Sequence, residues 1–92
     1  SPGLEGRVGG HADIAESSEM LCIRPDLVRE DRAEEGNVQE FDAALAQRIF
    51  RDGFRSVTPN GILGDARGMS AAIGEQCIKS AADGIAAALK AD

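Results

Sequence analysis

Apolar residues return at helical spacing in three stretches of the chain and almost nowhere alternate as strand residues do. In the first, Ile14, Leu21 and Cys22 share a face, and Ser17 and Ser18 leave room for close packing. Asp13 stands where a helix N-cap belongs, with Glu16 three residues later as in a capping box. Pro25 ends this helix, because the residue before a proline is pushed out of the helical region. The second stretch runs from Gln39 to Asp52, with Phe41, Leu45, Ile49 and Phe50 at helical intervals and Gly53 as C-cap. In the third, Ser70 caps a helix whose stripe of Ile73, Cys77, Ile78, Ala81, Ile85, Ala88 and Leu89 continues to the C-terminus. Such a stripe is a docking face.

The segments between are polar or rich in turn formers. Residues 1–10 hold four glycines and Pro2 and read as a loop, with a short extended piece around Val8. Asp26 to Gly36 is charged and aperiodic, a solvated connection with a turn at Leu27-Val28. Thr58-Pro59-Asn60-Gly61 signals a turn, leaving through Ile62-Leu63-Gly64-Asp65 as a tight loop or very short strand. Only Arg55-Ser56-Val57-Thr58 approaches the composition of a strand. Three helices with apolar faces and no sheet of their own are expected to cover a sheet supplied elsewhere.

Composition sharpens that expectation. The chain is 42% hydrophobic, but it has three Phe, no Tyr, no Trp and eleven Gly among 92 residues. Large side chains supply most burial energy, roughly 1.5–3 kcal/mol each when fully buried. A core this poor in them is marginal, so the chain is expected to pack against more protein. Sixteen acidic against ten basic residues give a net charge of −6, which excludes nucleic acid and anionic membrane as main partners. Cys22 and Cys77 make neither a metal nor a disulfide framework and read as reduced, buried thiols on apolar helix faces. No apolar run reaches a membrane span and no signal peptide is visible, which points to the cytoplasm. Ser1 in place of Met is explained by processing or by an incomplete chain, and could also be a processed N-terminal nucleophile.

His11, the sole histidine, follows a glycine pair and lies five residues before Glu16. An imidazole and a carboxylate beside a flexible turn can move protons and orient a polar substrate. The alternative for His11 is a loop histidine satisfied by backbone, and for Glu16 a capping role, which is compatible with catalysis. Asp13 reads as a cap. Asn60-Gly61 and Gly64-Asp65 are either turn residues or a loop touching an active site, while Met20 and Met69 read as packing residues and Glu34-Glu35 as a solvated turn.

Gly10-His11-Ala12, then Glu16-Ser17-Ser18, then Pro25-Asp26-Leu27-Val28 together resemble the creatininase (creatinine amidohydrolase) family, whose pattern is Gly-His-Ala-Gly, two variable residues, Glu-Thr-Ser and a later Pro-x-x-Val. Asn60-Gly61-Ile62-Leu63-Gly64-Asp65 resembles the family's Asn-Gly-Val-x-Gly-Asp-Pro turn. The likeness runs in order from position 9 to about 80. Asp13 stands for glycine, Ser17 for threonine and Ala66 for proline, and the charge of Asp13 beside the histidine bears on substrate preference.

The resemblance implies a three-layer α/β/α fold of which this chain, residues 1–92, is a mostly helical C-terminal part of one domain. It implies a two-metal hydrolase, using zinc or manganese, that cleaves cyclic or linear amide C–N bonds, with a non-peptide or cyclic small-molecule amide as the expected substrate. It places the metal ligands upstream and none in this chain, so the N-terminal segment of the same protein is an expected partner, in a homo-oligomer. By the same likeness His11 and Glu16 are the catalytic candidates, and Asp13, Ser17 and Asn60 the candidates for substrate contact. A reading of another class is a small helical binding or assembly module without catalysis, which the scarcity of ligands and the helical pattern also fit.

Overall fold

The computed structural model describes residues 7–91. Ser1 and most of the glycine-rich loop expected over 1–10 lie outside them. Three α-helices follow one another: α1 over Ile14–Ile23, α2 over Ala43–Asp52 and α3 over Ala71–Lys90. Single 3-10 turns at Pro25–Leu27, Glu30–Arg32 and Phe54–Ser56 occupy parts of the connections.

Each helix starts on a side chain that satisfies its free amide groups. Asp13 accepts from the Ala15 and Glu16 amides, Asp42 from Leu45, and Ser70 from Ile73. α1 ends at Ile23 ahead of Pro25, and Gly53 closes α2 with a φ of 89° that only glycine adopts freely. The second helix begins at Ala43, four residues later than its apolar spacing suggests. Asn37 holds the chain extended there, its Oδ1 accepting the Gln39 amide at 2.9 Å while its Nδ2 donates to the Val57 carbonyl at 2.8 Å. Phe41 and Phe50 do not join the buried side of α2, being 61% and 91% exposed, whereas Leu45 is buried and Ile49 packs beside it.

The strand-like stretch Arg55–Thr58 is also a correction. Phe54–Ser56 is a helical turn, tied by the Ser56 hydroxyl donating to the Gly53 carbonyl at 2.6 Å, and Val57 and Thr58 are buried after it. Tertiary burial of a β-branched pair overrides its local preference. The β pairing falls instead on Ile62–Ala66. Leu63 pairs antiparallel with His11 and parallel with Asn37, and Asp65 pairs antiparallel with Glu35. Gly36 donates to the Gly64 carbonyl at 2.8 Å and Ala66 to the Glu34 carbonyl at 3.1 Å, so Glu34-Glu35 edges this small ladder rather than forming a free turn. A methyl group on Gly36 would overlap the Ile62 carbonyl, which is why the neighbour must be glycine.

The core is small: Leu45, Val57 and Leu63, with Ile49 and Phe54 against them. Ile14 and Ala66 are also buried. α3 packs on α1 near its own start, where Gly74 is buried, while Ile85 and Leu89 stay 63% and 72% exposed. The accessible surface is 6451 Å², against about 5,100 Å² for a compact protein of this mass. Large apolar side chains left exposed include Phe41 ahead of α2, Phe50 in α2, and Ile85 and Leu89 in α3. Among the described residues no helix is long and apolar enough to cross a membrane.

Candidate active site

The loop before α1 is shaped by close backbone contact. His11 and Leu63 exchange both hydrogen bonds, each at 2.8 Å. Gly10 lies so near the Leu63 carbonyl that a methyl group there would overlap it, so the glycine before the histidine is sterically required. Ala12 then takes a φ of 52°, a left-handed conformation that costs a non-glycine residue about 1–2 kcal/mol.

Two side chains of the first turn of α1 hold that strained residue. The Ala12 amide donates to Glu16 Oε1 at 2.5 Å, and the Ser17 hydroxyl donates to the Ala12 carbonyl at 3.1 Å. Glu16 therefore caps one residue upstream of the position a capping box uses. The same Oε1 stands 3.6 Å from Nδ1 of His11, with both side chains more than half exposed. The imidazole is bounded on another side by Phe54, whose ring meets it edge to face at 5.2 Å and 87°. The two catalytic candidates are thus side by side, on a loop fixed from three directions.

The three candidates for substrate contact are not brought together. Ser17 lines, with Ala12 and Glu16, a cavity of about 540 Å³ whose far wall is Met20, Ile23, Leu27 and Val28. Asp13 is buried, and its carboxylate accepts from the amides of Gly10, Ala15 and Glu16 at 3.0, 3.0 and 3.1 Å. It lines a different hollow, with Gly64 and Asp65. Asn60 stitches loops: its Nδ2 donates to Glu34 Oε1 at 2.8 Å and to the Glu35 carbonyl at 3.1 Å, and its Oδ1 accepts from Ile62. The buried Thr58 hydroxyl lies 2.7 Å from the Ile62 carbonyl and 2.9 Å from Asn60 Oδ1, closing the same turn.

Behind the loop lies a charged cluster. Arg67 bonds both oxygens of Asp65 and also reaches Glu35 at 2.6 Å, while Arg7 stands 3.6 Å from Asp65. The Arg67 guanidinium holds the Asp65 carboxyl at about 2, well below the usual carboxylate range. Arg7 also donates to the Arg67 carbonyl at 2.8 Å, which ties the chain before His11 to this cluster.

Phe54 and the backbone of Leu63 take part in the site without any signal in the local sequence around His11. The strained Ala12 likewise carries no residue-type signature, since alanine is not a residue chosen for positive φ. Gly9-Gly10 was the one visible sign of close backbone approach.

His11 on its glycine-led loop thus faces Glu16 in the first turn of α1, and Glu16 borders the cavity. The chain belongs to the creatininase family of hydrolases, since the family model described as creatinine amidohydrolase matches residues 2–89. It is similar to the mycofactocin precursor peptide peptidase of Mycobacterium ulcerans (strain Agy99), 35% identical over 80 residues, covering 85% of this chain and 32% of that relative. The chain therefore spans about a third of the length of the curated relative it matches. No solved structure matches it. Membership implies an α/β fold, to which the described residues contribute helices and one short ladder.

The family is generally metal-dependent. Among the described residues no group of three His, Cys, Asp or Glu side chains converges on a point. Asp13, the buried acid beside the loop, already has its carboxylate engaged by three amide groups. This donor set does not fit a two-metal centre by itself.

Proposed function

We propose that this chain is the C-terminal part of a metal-dependent amide hydrolase, and that it supplies the His11–Glu16 pair to a site completed by an upstream segment of the same protein. The observation carrying this is the 3.6 Å approach of Glu16 to His11 on a loop whose strained Ala12 is held by Glu16 and Ser17. Family membership and the exposed apolar faces of α2 and α3 support it. Two divalent ions, zinc or manganese, would be held outside this chain, and the three-layer α/β/α arrangement would be completed there. Assembly into a homo-oligomer in the cytoplasm belongs to the same proposal.

The chemistry of the pair follows from its own geometry. His11 would hold a proton and deliver it to the nitrogen leaving the amide, which must be protonated for the C–N bond to break. While the ring carries that proton, its charge faces the Glu16 carboxylate, and Phe54 restricts the ring's swing. Ser17 would border the substrate, since its residue lines the same cavity as Glu16. The substrate is an amide, a small molecule or a peptide; the relative named as a peptide peptidase favours testing both.

The test is amide hydrolysis by the full-length, metal-loaded protein, on creatinine and on short peptides. His11→Ala should lower kcat by about 10²–10⁴ with metal content and circular dichroism unchanged. Wild-type turnover in that variant would remove His11 from the reaction. A full-length protein that cleaves no amide would favour the helical assembly module instead.

A further inference from the structure

α1 and α3 pack backbone against backbone. Ser18 is fully buried, its hydroxyl accepts the Ser70 amide at 3.1 Å, and a methyl group at Gly74 would overlap the Ser18 carbonyl and reach the Glu19 amide. The two backbones touch there, as the absence of a side chain at Gly74 permits. Both helices advance in the same sense, since Gly68, just ahead of α3, meets Ile14, and Ser70 and Gly74 meet Ser18.

One turn beyond this contact each helix carries a cysteine: Cys22 four residues after Ser18, and Cys77 three residues after Gly74. Residues three and four apart share a helix face. For helices side by side in the same sense, a step of four on one and a step of three on the other turn to the same side of the contact. Both thiols are free and half-buried, and this register places them on the same side of the α1–α3 contact. These are the only two cysteines of the sequence.

We propose that Cys22 and Cys77 form a redox-responsive dithiol that closes into a disulfide joining α1 to α3. The oxidant is a small disulfide. One cysteine thiolate attacks it, releasing one small thiol and leaving a mixed disulfide on the protein. The second cysteine then attacks the protein-side sulfur, releasing the second small thiol. The two cysteines lose two electrons and two protons, and the oxidant gains both. The bond lies at the end of α1 opposite Glu16 and Ser17, and it ties the helix that carries them to α3.

The test treats the reduced full-length protein with oxidised glutathione, blocks free thiols and maps the digested peptides by mass spectrometry. The expected product is a chain with Cys22 joined to Cys77 and no disulfide to another chain, lighter by two hydrogen atoms, with a higher Tm that reductant reverses. Cys22→Ser and Cys77→Ser should each abolish that product and the rise in Tm. Glutathione remaining on each cysteine, or dimers linked through one of them, with no Cys22–Cys77 peptide in the wild-type protein, would overturn the proposal. The wild-type map decides the question even if a variant fails to fold.

Discussion

One oxygen of Glu16 accepts the amide hydrogen of Ala12 and stands 3.6 Å from Nδ1 of His11. The carboxylate that faces the imidazole is therefore also the group that keeps the histidine's loop in its strained shape. Ser17, next in sequence, holds the other side of the same peptide unit by donating to the Ala12 carbonyl. On the proposed function, loop conformation and proton chemistry share their residues, so a change to Glu16 is expected to alter both together.

Ala12 separates the two effects. Its φ of 52° costs alanine energy that glycine does not pay, while glycine adds freedom to the unfolded chain. Ala12→Gly is expected to leave stability unchanged or raise it by up to about 1 kcal/mol, measured by urea unfolding. A loss of about 1 kcal/mol, as at an ordinary helical alanine, would mean that the left-handed turn is absent.

Two glycines of α3 should answer in opposite directions. Gly74→Ala drives a methyl group into the Ser18 carbonyl and is expected to cost about 1–3 kcal/mol. Gly84 has open space around its Cβ position, so Gly84→Ala should gain about 0.5–1 kcal/mol from helix propensity. Thermal unfolding of the two variants side by side checks the pair. Equal shifts would show that α3 does not meet α1 at Gly74.

The Asp65 carboxyl is held at about 2, first by its hydrogen bonds to Arg67, against an ordinary 3.8. A depressed carboxyl stabilises the fold above its unfolded value and loses that contribution as pH falls through the folded one. The contribution of Asp65 is therefore expected in full above about pH 4 and gone near pH 2, at about 1 kcal/mol because its arginine partners are solvated. Asp65→Asn should flatten the acid limb of the stability curve in that window. An unchanged acid limb would show that the cluster does not anchor the loop.

Much of the local structure was legible because it depends on side chains within one turn. Asp13 and Ser70 cap helices, Pro25 and Gly53 end them, and Gly61 turns the chain with a φ of 80°, all as their residue types imply. The proximity of His11 and Glu16 followed from the same short range. α2 starts later than its apolar spacing predicts because Asn37 is engaged by Val57, a partner 20 residues away. The helical turn at Phe54–Ser56 likewise followed burial of Val57 and Thr58 against distant residues.

The sequence by itself determined the caps and turns, the order of the helices, the motif around His11 and the family it belongs to, since each is written in neighbouring residues. Only the tertiary structure decided that Phe54 stands against His11, that Leu63 braces its backbone, and that Asn60 and Asp13 spend their polar atoms on backbone and neighbouring side chains. It also decided where α1 and α3 touch, through a hydrogen bond between residues 52 apart. Such contacts are selected by the packing of the whole chain, which puts backbone in van der Waals contact at Gly10 and Gly74, and no local propensity encodes which carbonyl will lie opposite each glycine.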